Sequence, residues 1–306
     1  MERVSDFERI LVDHARALGC PDEFLHKICR NYDFSTIRAR IVMSQPKLQA
    51  AKGEDPIDPE SYGQLRLRRV IQDMGFKNAK IELESCTGSI GGLDPIWLHR
   101  FFESFSGQRQ DVKITTIDRL PPVRIVYPTR ADVTSGLFCE LAQGMDEKEA
   151  VTYIENQASN IGSHLRWKEA SDDQKQLYHH FQSKDPKRPL FHMKLLLAFP
   201  RGQATSRPLY VYIGSANLSP SAWGKALPVL SRKKSDQAAK LAGDMRLAEV
   251  KNFECGVVIK GEDLESMLAE GTWEEVVPYQ RPVRPYKLLG PDKEKPWNSP
   301  MWVKPH

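Results

Sequence analysis

Short apolar runs separated by amphipathic or polar stretches set the pattern of this chain. Ile37 to Met43, Ala79 to Leu83, Val123 to Tyr127, Leu195 to Phe199, Leu209 to Ile213 and Glu254 to Ile259 each read as a strand with buried positions. Tyr62 to Met74 reads as a helix ended by Gly75. Ile96 to Phe105 reads as another, with Trp97, Phe101 and Phe105 along one side. The polar stretch from Glu147 to Gln182 reads as mostly helical. Strand–helix alternation with short buried runs predicts a layered α/β domain, a mixed sheet flanked by helices.

The start of the chain has a different character. Ser5 and Glu8 form a capping-box pattern opening a helix that Gly19 stops, and Pro21 opens a second one ending near Asn31 to Asp33. The strand–helix pattern begins at about Thr36. The last 35 or so residues, rich in Pro and Trp, are expected to wrap the surface. The chain has no internal repeat, and its charged runs are short loops such as Arg232-Lys233-Lys234.

Composition narrows the picture slightly. The 306 residues are 40% hydrophobic, enough for one large domain or two modest ones with proper cores. No run approaches the ~18–20 apolar residues of a membrane span, and residues 1–6 lack a signal-like apolar stretch. Five scattered cysteines with no Cys-x-x-Cys pair argue for a reducing compartment and against structural zinc. The net charge of +4 only weakly favours a polyanionic partner.

The candidate chemistry sits in two short stretches, Phe191-His192-Met193-Lys194 and Gly214-Ser215-Ala216-Asn217-Leu218-Ser219, the latter followed by Trp223-Gly224. A His and a Lys two apart on a strand point to one face. A proton-shuttling imidazole then stands beside an ammonium, while Asn217 adds an amide donor at the end of the next strand. Taken singly, His-x-Lys is a common surface pair and Asn217 a common turn or cap residue. Taken together, at the ends of two apolar strands, they describe a metal-free site for a phosphate. Lys194 and Asn217 can hold its non-bridging oxygens, and His192 can give and recover a proton near neutral pH.

These residues resemble the second His-x-Lys…Asn motif of the phospholipase D superfamily, and more narrowly that of the tyrosyl-DNA phosphodiesterase family. The narrower likeness rests on Ser215 to Gly224, Ser-Ala-Asn-Leu-Ser-x-x-Ala-Trp-Gly. Ser85-Cys86-Thr87-Gly88-Ser89-Ile90-Gly91, followed by Trp97-Leu98, is similar to the family's Ser-rich phosphate loop, with Cys86 where Ser is common. Phe253-Glu254-Cys255-Gly256-Val257 is similar to its Glu-x-Gly-Val strand, and Met301-Trp302-Val303 to its C-terminal Met-Trp-Val. Family members carry two His-x-Lys motifs facing each other across a pseudo-dyad. None of His14, His26, His99, His164, His179, His180 and His306 has a Lys two residues later. The chain therefore resembles the second half alone, and the nucleophilic histidine belongs to the other half.

The resemblance implies a phospholipase D-like fold. Residues 1–35 correspond to the helical tail of a missing N-terminal half, and residues 36–306 to the C-terminal catalytic half. It assigns His192 as general acid and base, with Glu254 hydrogen-bonded to the far imidazole nitrogen, and Ser89, Gly88 and Ser215 as DNA contacts. Trp302 is either a wall of the site or a buried structural residue. Arg66, Arg68 and Arg69 read either as a DNA-steering patch or, more in keeping with a short cluster, as a solvated helix face. Tyr62, Tyr210 and Tyr212 could stack on bases, although Tyr210 and Tyr212 share a strand face and suit a core.

The implied activity is metal-free, cofactor-free hydrolysis of 3′-phosphotyrosyl and related adducts, exonuclease-like, in nuclear repair of topoisomerase I damage. The partners are DNA 3′ ends, single-stranded or nicked, carrying a topoisomerase-derived peptide, and no membrane. Two alternatives stay open: an incomplete half-protein that binds DNA ends, and a one-motif nuclease active only as a homodimer.

Overall fold

The apolar runs become the strands of one sheet. The computed structural model describes residues 5–46, 58–109, 116–129, 131–132, 144–146, 149, 167–185, 192–228 and 245–297. Its strands are β1 (Arg40–Ser44), β2 (Ile81–Cys86), β3 (Val123–Tyr127), β4 (Tyr178–His180), β5 (Lys194–Pro200), β6 (Tyr210–Gly214), β7 (Lys225–Pro228), β8 (Met245–Ala248) and β9 (Glu254–Lys260). Among the described residues, seven of them form a mixed sheet in the order β1-β9-β6-β5-β2-β3-β4, while β7 and β8 pair separately. The β2–β3 and β3–β4 pairs are parallel and the other neighbours antiparallel. The expected mixed α/β layering is therefore what forms.

Alternation along β5 separates two cores. Leu196 and Ala198 face a layer built by Val70, Ile71, Trp97, Phe101 and Phe105, which lie on helices α3 (Gly63–Asp73) and α4 (Pro95–Phe105). Leu195, Leu197 and Phe199 face the other way, toward Leu264, Trp273, Val277 and Tyr279. A strand buried on both faces reads as a continuous apolar run, which is why residues 195–199 carry no polar position.

The N-terminal helices α1 (Asp6–Ala17) and α2 (Asp22–Asn31) form as expected, with the Ser5 hydroxyl accepting the Glu8 N–H at 3.1 Å. Ile10 packs on Ile41 and Met43 of β1. Buried Arg66 of α3 bonds both Asp6 and the Ile41 carbonyl. Helix α1 is thus docked on the sheet's β1 edge.

Four expectations change. Arg66 and Arg68 are neither a DNA patch nor a solvated face: both are buried, bound to Asp6 and Glu60, and Arg69 pairs with Asp58. In the described end of the stretch expected to be helical, residues 167–182, Trp167–Glu169 and α5 (Asp172–Lys175) are short helical turns, and Tyr178–His180 instead adds the edge strand β4. Glu149 is helical, while residues 147–148 and 150–166, and Arg232 to Lys234, lie outside the described residues. Finally, the segment after the short helix Gly261–Glu265 does more than wrap the surface. It buries Trp273, Tyr279, Tyr286 and Trp297, because these aromatic rings supply the apolar area the sheet still exposes. Tyr62, Tyr210 and Tyr212 are buried too, so they are core residues rather than stacking platforms.

Candidate active site at one rim of the sheet

Strand directions gather the motif residues at a single rim. The carboxyl ends of β2 and β6 flank the amino end of β5, with Cys86 opposite Leu195 and Gly214 opposite Lys194. Gly214 also faces Gly256 of β9, which brings Glu254 to the same rim. His192 lies just before β5 rather than on it, and is exposed, whereas Lys194 is buried. Their side chains nevertheless meet, with Lys194 Nζ 3.0 Å from His192 Nε2 and donating to the His192 carbonyl at 2.6 Å. An ammonium can only donate, so this contact suits an imidazole whose Nε2 is unprotonated. Burial, and then the neighbouring ammonium, hold the imidazole below its ordinary 6.5. Burial likewise lowers Lys194 below 10.5, although the charge of Glu254 pulls it back up.

The phosphate-loop candidate closes over these groups. Asn217 Oδ1 accepts the Ser89 N–H at 2.9 Å and lies 3.1 Å from the Thr87 hydroxyl. That hydroxyl also accepts the Leu218 N–H, and a bridge between Ile90 and Leu218 runs alongside. Gly88 is at the centre. A Cβ there would come within 3.3 Å of His192 Cδ2, 3.4 Å of Lys194 Nζ and 3.6 Å of Asn217 Oδ1. The structure thus brings His192, Lys194, Asn217, Gly88 and Ser89 around one point. Thr87, whose hydroxyl ties the two loops, is a site residue that sequence reasoning named only as a member of the loop Ser85 to Gly91; its one signal was a hydroxyl beside Gly at a strand end.

Glu254 takes a different partner from the expected one. Its carboxylate accepts from the Ser215 hydroxyl and from Asn252 Nδ2 at 3.0 Å, and it acts on Lys194 by charge. Among the described residues it makes no hydrogen bond to His192. Strand β9 is separated from β5 by β6, and Ser215, just past the end of β6, reaches the carboxylate first. Ser215 is correspondingly committed: its hydroxyl donates to Glu254 and accepts the Cys255 N–H at 3.0 Å. It positions a carboxylate rather than offering a free contact to DNA. Cys86 is buried, with its thiol pushed far up by burial. Trp302, with Met301 and Val303, lies outside the described residues.

The Trp-Gly ending of the motif has a structural role. The Gly224 carbonyl receives two buried donors, Trp97 Nε1 at 2.9 Å and Gln64 Nε2 at 2.5 Å, locking α3 and α4 to the site loop. Gly224 has φ +75° and no room for a side chain, since a Cβ would lie 2.6 Å from Leu247. Gly256 similarly leaves space for the Tyr212 ring, only 2.4 Å from where a Cβ would be.

Among the described residues no group of three or more His, Cys, Asp or Glu side chains could hold a metal ion. The site's own donors form an anion-binding arrangement: an ammonium, the N–H groups of an amide whose oxygen is already tied down, and an imidazole that can take up a proton.

Comparisons with known proteins agree on one family. The family model described as tyrosyl-DNA phosphodiesterase matches residues 1–287. Similar solved structures include the yeast tyrosyl-DNA phosphodiesterase, at 19% identity over 97% of this chain and 66% of that one, with a TM-score of 0.56. A histidine-to-asparagine variant of it gives 17% identity, the same coverages and a TM-score of 0.63. A histidine-to-arginine variant gives 17% identity over 95% of this chain and 65% of that one, with a TM-score of 0.60. This chain thus spans about two-thirds of the length of those structures, which establish its phospholipase D-like fold. No curated protein matches it significantly.

Proposed function

Because this chain belongs to the tyrosyl-DNA phosphodiesterase family, we propose that it is the C-terminal half of a metal-free phosphodiesterase that processes DNA 3′ ends. The observation that carries the reading is the convergence of His192, Lys194 and Asn217 around Gly88. In this proposal Lys194 and the Asn217 amide N–H groups hold the non-bridging oxygens of a 3′ phosphate. They stabilise the negative charge that grows as the phosphorus is attacked.

The nucleophile is an imidazole supplied by the other half, outside this chain. It forms a P–N bond while the P–O bond to the departing tyrosine breaks, and His192, protonated beforehand, gives that oxygen its proton. Water then attacks phosphorus, His192 takes the water's proton, and the P–N bond breaks. Nuclear repair of topoisomerase I adducts is the setting we propose. Glu254 serves this chemistry by holding the charge of Lys194 rather than the tautomer of His192.

One histidine cannot be nucleophile and leaving-group acid on opposite sides of phosphorus. Since the chain has a single His-x-Lys pair, by itself it is expected to bind 3′-phosphorylated ends without turning them over. The test compares 3′-phosphoryl and 3′-hydroxyl oligonucleotides for binding to the chain in EDTA. Tighter binding of the phosphoryl end, lost in Lys194→Ala, supports the reading. Equal affinity for both ends would overturn it.

A further inference from the structure

Two loops lie side by side over the candidate phosphate site, and Thr87 is where they join. The residue is buried, and its Oγ1 lies 3.1 Å from the Leu218 nitrogen, 3.1 Å from Asn217 Oδ1 and 2.9 Å from the Ser89 carbonyl oxygen. A hydroxyl has one hydrogen and two lone pairs. The Leu218 N–H can only donate, so it takes a lone pair, and the hydroxyl hydrogen faces the two acceptors. One oxygen thus grips the side chain of Asn217, the backbone of the residue after it and the loop that covers both. Continuing the β2–β5 register past Cys86 and Leu195 sets Thr87 beside Lys194.

Ser89 supplies a tie of another kind. Its backbone N–H donates to the same Asn217 Oδ1 at 2.9 Å. That donor exists whatever side chain stands at 89, and it decides which end of the amide points inward. It leaves the tilt of the amide plane open, since one bond to an sp² oxygen tolerates a broad range of directions. The Thr87 oxygen meets the same Oδ1 from a second residue and narrows that range. Threonine is also β-branched, and its stiff χ1 holds the hydroxyl in place before any ligand arrives. Gly88, between the two ties, faces the space that Asn217 and Lys194 share, because an added Cβ would lie 3.6 Å from Asn217 Oδ1 and 3.4 Å from Lys194 Nζ.

We propose that Thr87 is a positioning residue that acts on a 3′ phosphate through Asn217, its hydroxyl setting the tilt of the carboxamide so that the amide N–H groups converge with the Lys194 ammonium. The role rests on the reading of the central site given above. Donors fixed in advance need no reorganisation when negative charge arrives. An apolar residue of the same size at 87 would leave the Leu218 N–H without its acceptor and the amide with one tie instead of two.

The test measures binding of 3′-phosphoryl and 3′-hydroxyl oligonucleotides to Thr87→Val, Thr87→Ser and Thr87→Cys, and to Thr87→Val combined with Asn217→Ala. Thr87→Val keeps the branching and removes the hydroxyl. It is expected to melt earlier than wild type, so binding is measured well below its midpoint. Its affinity for the phosphoryl end is expected to fall about tenfold, the size of one lost hydrogen bond, with the hydroxyl end unaffected. Thr87→Ser keeps the hydroxyl and is expected to restore binding to within about threefold of wild type, the remainder reflecting its freer χ1. Thr87→Cys, a weaker donor and acceptor that asks less of the fold, is expected to fall between the two. In the Asn217→Ala background, Thr87→Val is expected to change affinity by less than about twofold, because the group it positions is gone. Nitrogen-15 spectra add a readout of the amide itself. The Asn217 side-chain NH2 pair, identified by its loss in Asn217→Asp, is expected to be sharp in wild type and Thr87→Ser and broadened by reorientation in Thr87→Val.

If Thr87→Val and Thr87→Cys bind the phosphoryl end like wild type and keep a sharp Asn217 pair, the proposal is overturned, while continued discrimination between the two ends leaves the central reading standing. If Thr87→Val loses as much affinity in the Asn217→Ala background as alone, Thr87 acts on the loop and not through Asn217, and the proposal is again overturned. If wild type itself binds both ends equally, the central reading fails and the proposal falls with it.

Discussion

Asn217 Oδ1 accepts the backbone N–H of Ser89 at 2.9 Å, joining two loops 128 residues apart in the chain. The bond does two jobs. It holds the Gly88 loop over Lys194, and it uses the acceptor end of the amide, which leaves the donor end for an anion. Asn217→Asp keeps the acceptor and replaces the donor with negative charge. Its thermal midpoint is expected to stay near wild type while binding of a 3′-phosphoryl oligonucleotide is lost. Asn217→Ala instead leaves the Ser89 N–H without its partner and should lower stability by about 1–3 kcal/mol, read by urea unfolding.

Gly88 should be the most selective probe of the pocket. Its φ lies outside the left-handed region and an added Cβ meets nothing closer than 3.3 Å, so Gly88→Ala is expected to fold normally. The methyl would nevertheless occupy the space between His192, Lys194 and Asn217. Affinity for a 3′-phosphoryl end is expected to fall at least about tenfold, a loss of ~1.4 kcal/mol, without a change in melting temperature. Unchanged affinity would place the anion elsewhere.

The His192–Lys194 contact makes a prediction about protonation. Burial and then the Lys194 ammonium hold His192 below 6.5. NMR titration of ring-labelled protein should place the His192 midpoint below that value, and Lys194→Met should move it upward. Lys194 is itself lowered by burial and supported by Glu254. Glu254→Gln is therefore expected to bring the alkaline loss of anion binding to lower pH. A shift to higher pH would mean that Glu254 does not act through Lys194.

His180 supports the C-terminal segment through two carboxylates, Asp132 at 2.9 Å on Nδ1 and Glu294 at 2.8 Å on Nε2. Burial opposes its charge, but the two carboxylates outweigh it, and the net direction is above 6.5. The stabilisation is therefore complete below pH 6.5 and fades as pH rises through the folded value. At the acid end it is limited by Glu294, whose carboxyl is held below 4.5: burial pushes it up, but the Lys287 N–H and His180 outweigh that. His180→Gln should cost about 1.5–3 kcal/mol near pH 6, the usual size for a charged hydrogen bond, and much less near pH 9. A cost independent of pH would show that the imidazole is neutral in the folded protein.

Several of these relationships were legible along the chain and several were not. Strands β3, β5, β6 and β9 and helix α4 follow from local patterning, because strands buried on both faces need unbroken apolar runs. Of the candidate site, His192, Lys194 and Asn217 stood out for their chemistry, whereas Gly88 and Ser89 followed only from the family resemblance of their loop. Pairing between charges did not. The arginines of α3 look like a solvated or DNA-facing cluster until α1 and Glu60 supply their partners, and nothing local encodes that meeting.

The same division holds for Glu254. Its presence on a strand leading to the site was written in Phe253 to Val257, but its partner was decided by sheet order, which interposes β6 and lets Ser215 reach the carboxylate first. Strand β4 was hidden for a related reason, since three residues with polar His179 and His180 carry no period of their own and form a strand only against β3. By itself the sequence determined the elements with strong apolar periods and the chemical groups of the site. Tertiary structure alone decided which charges meet and which loops close over Lys194. Those contacts join residues far apart in the chain, and their energies depend on burial and geometry that exist only once the sheet has formed.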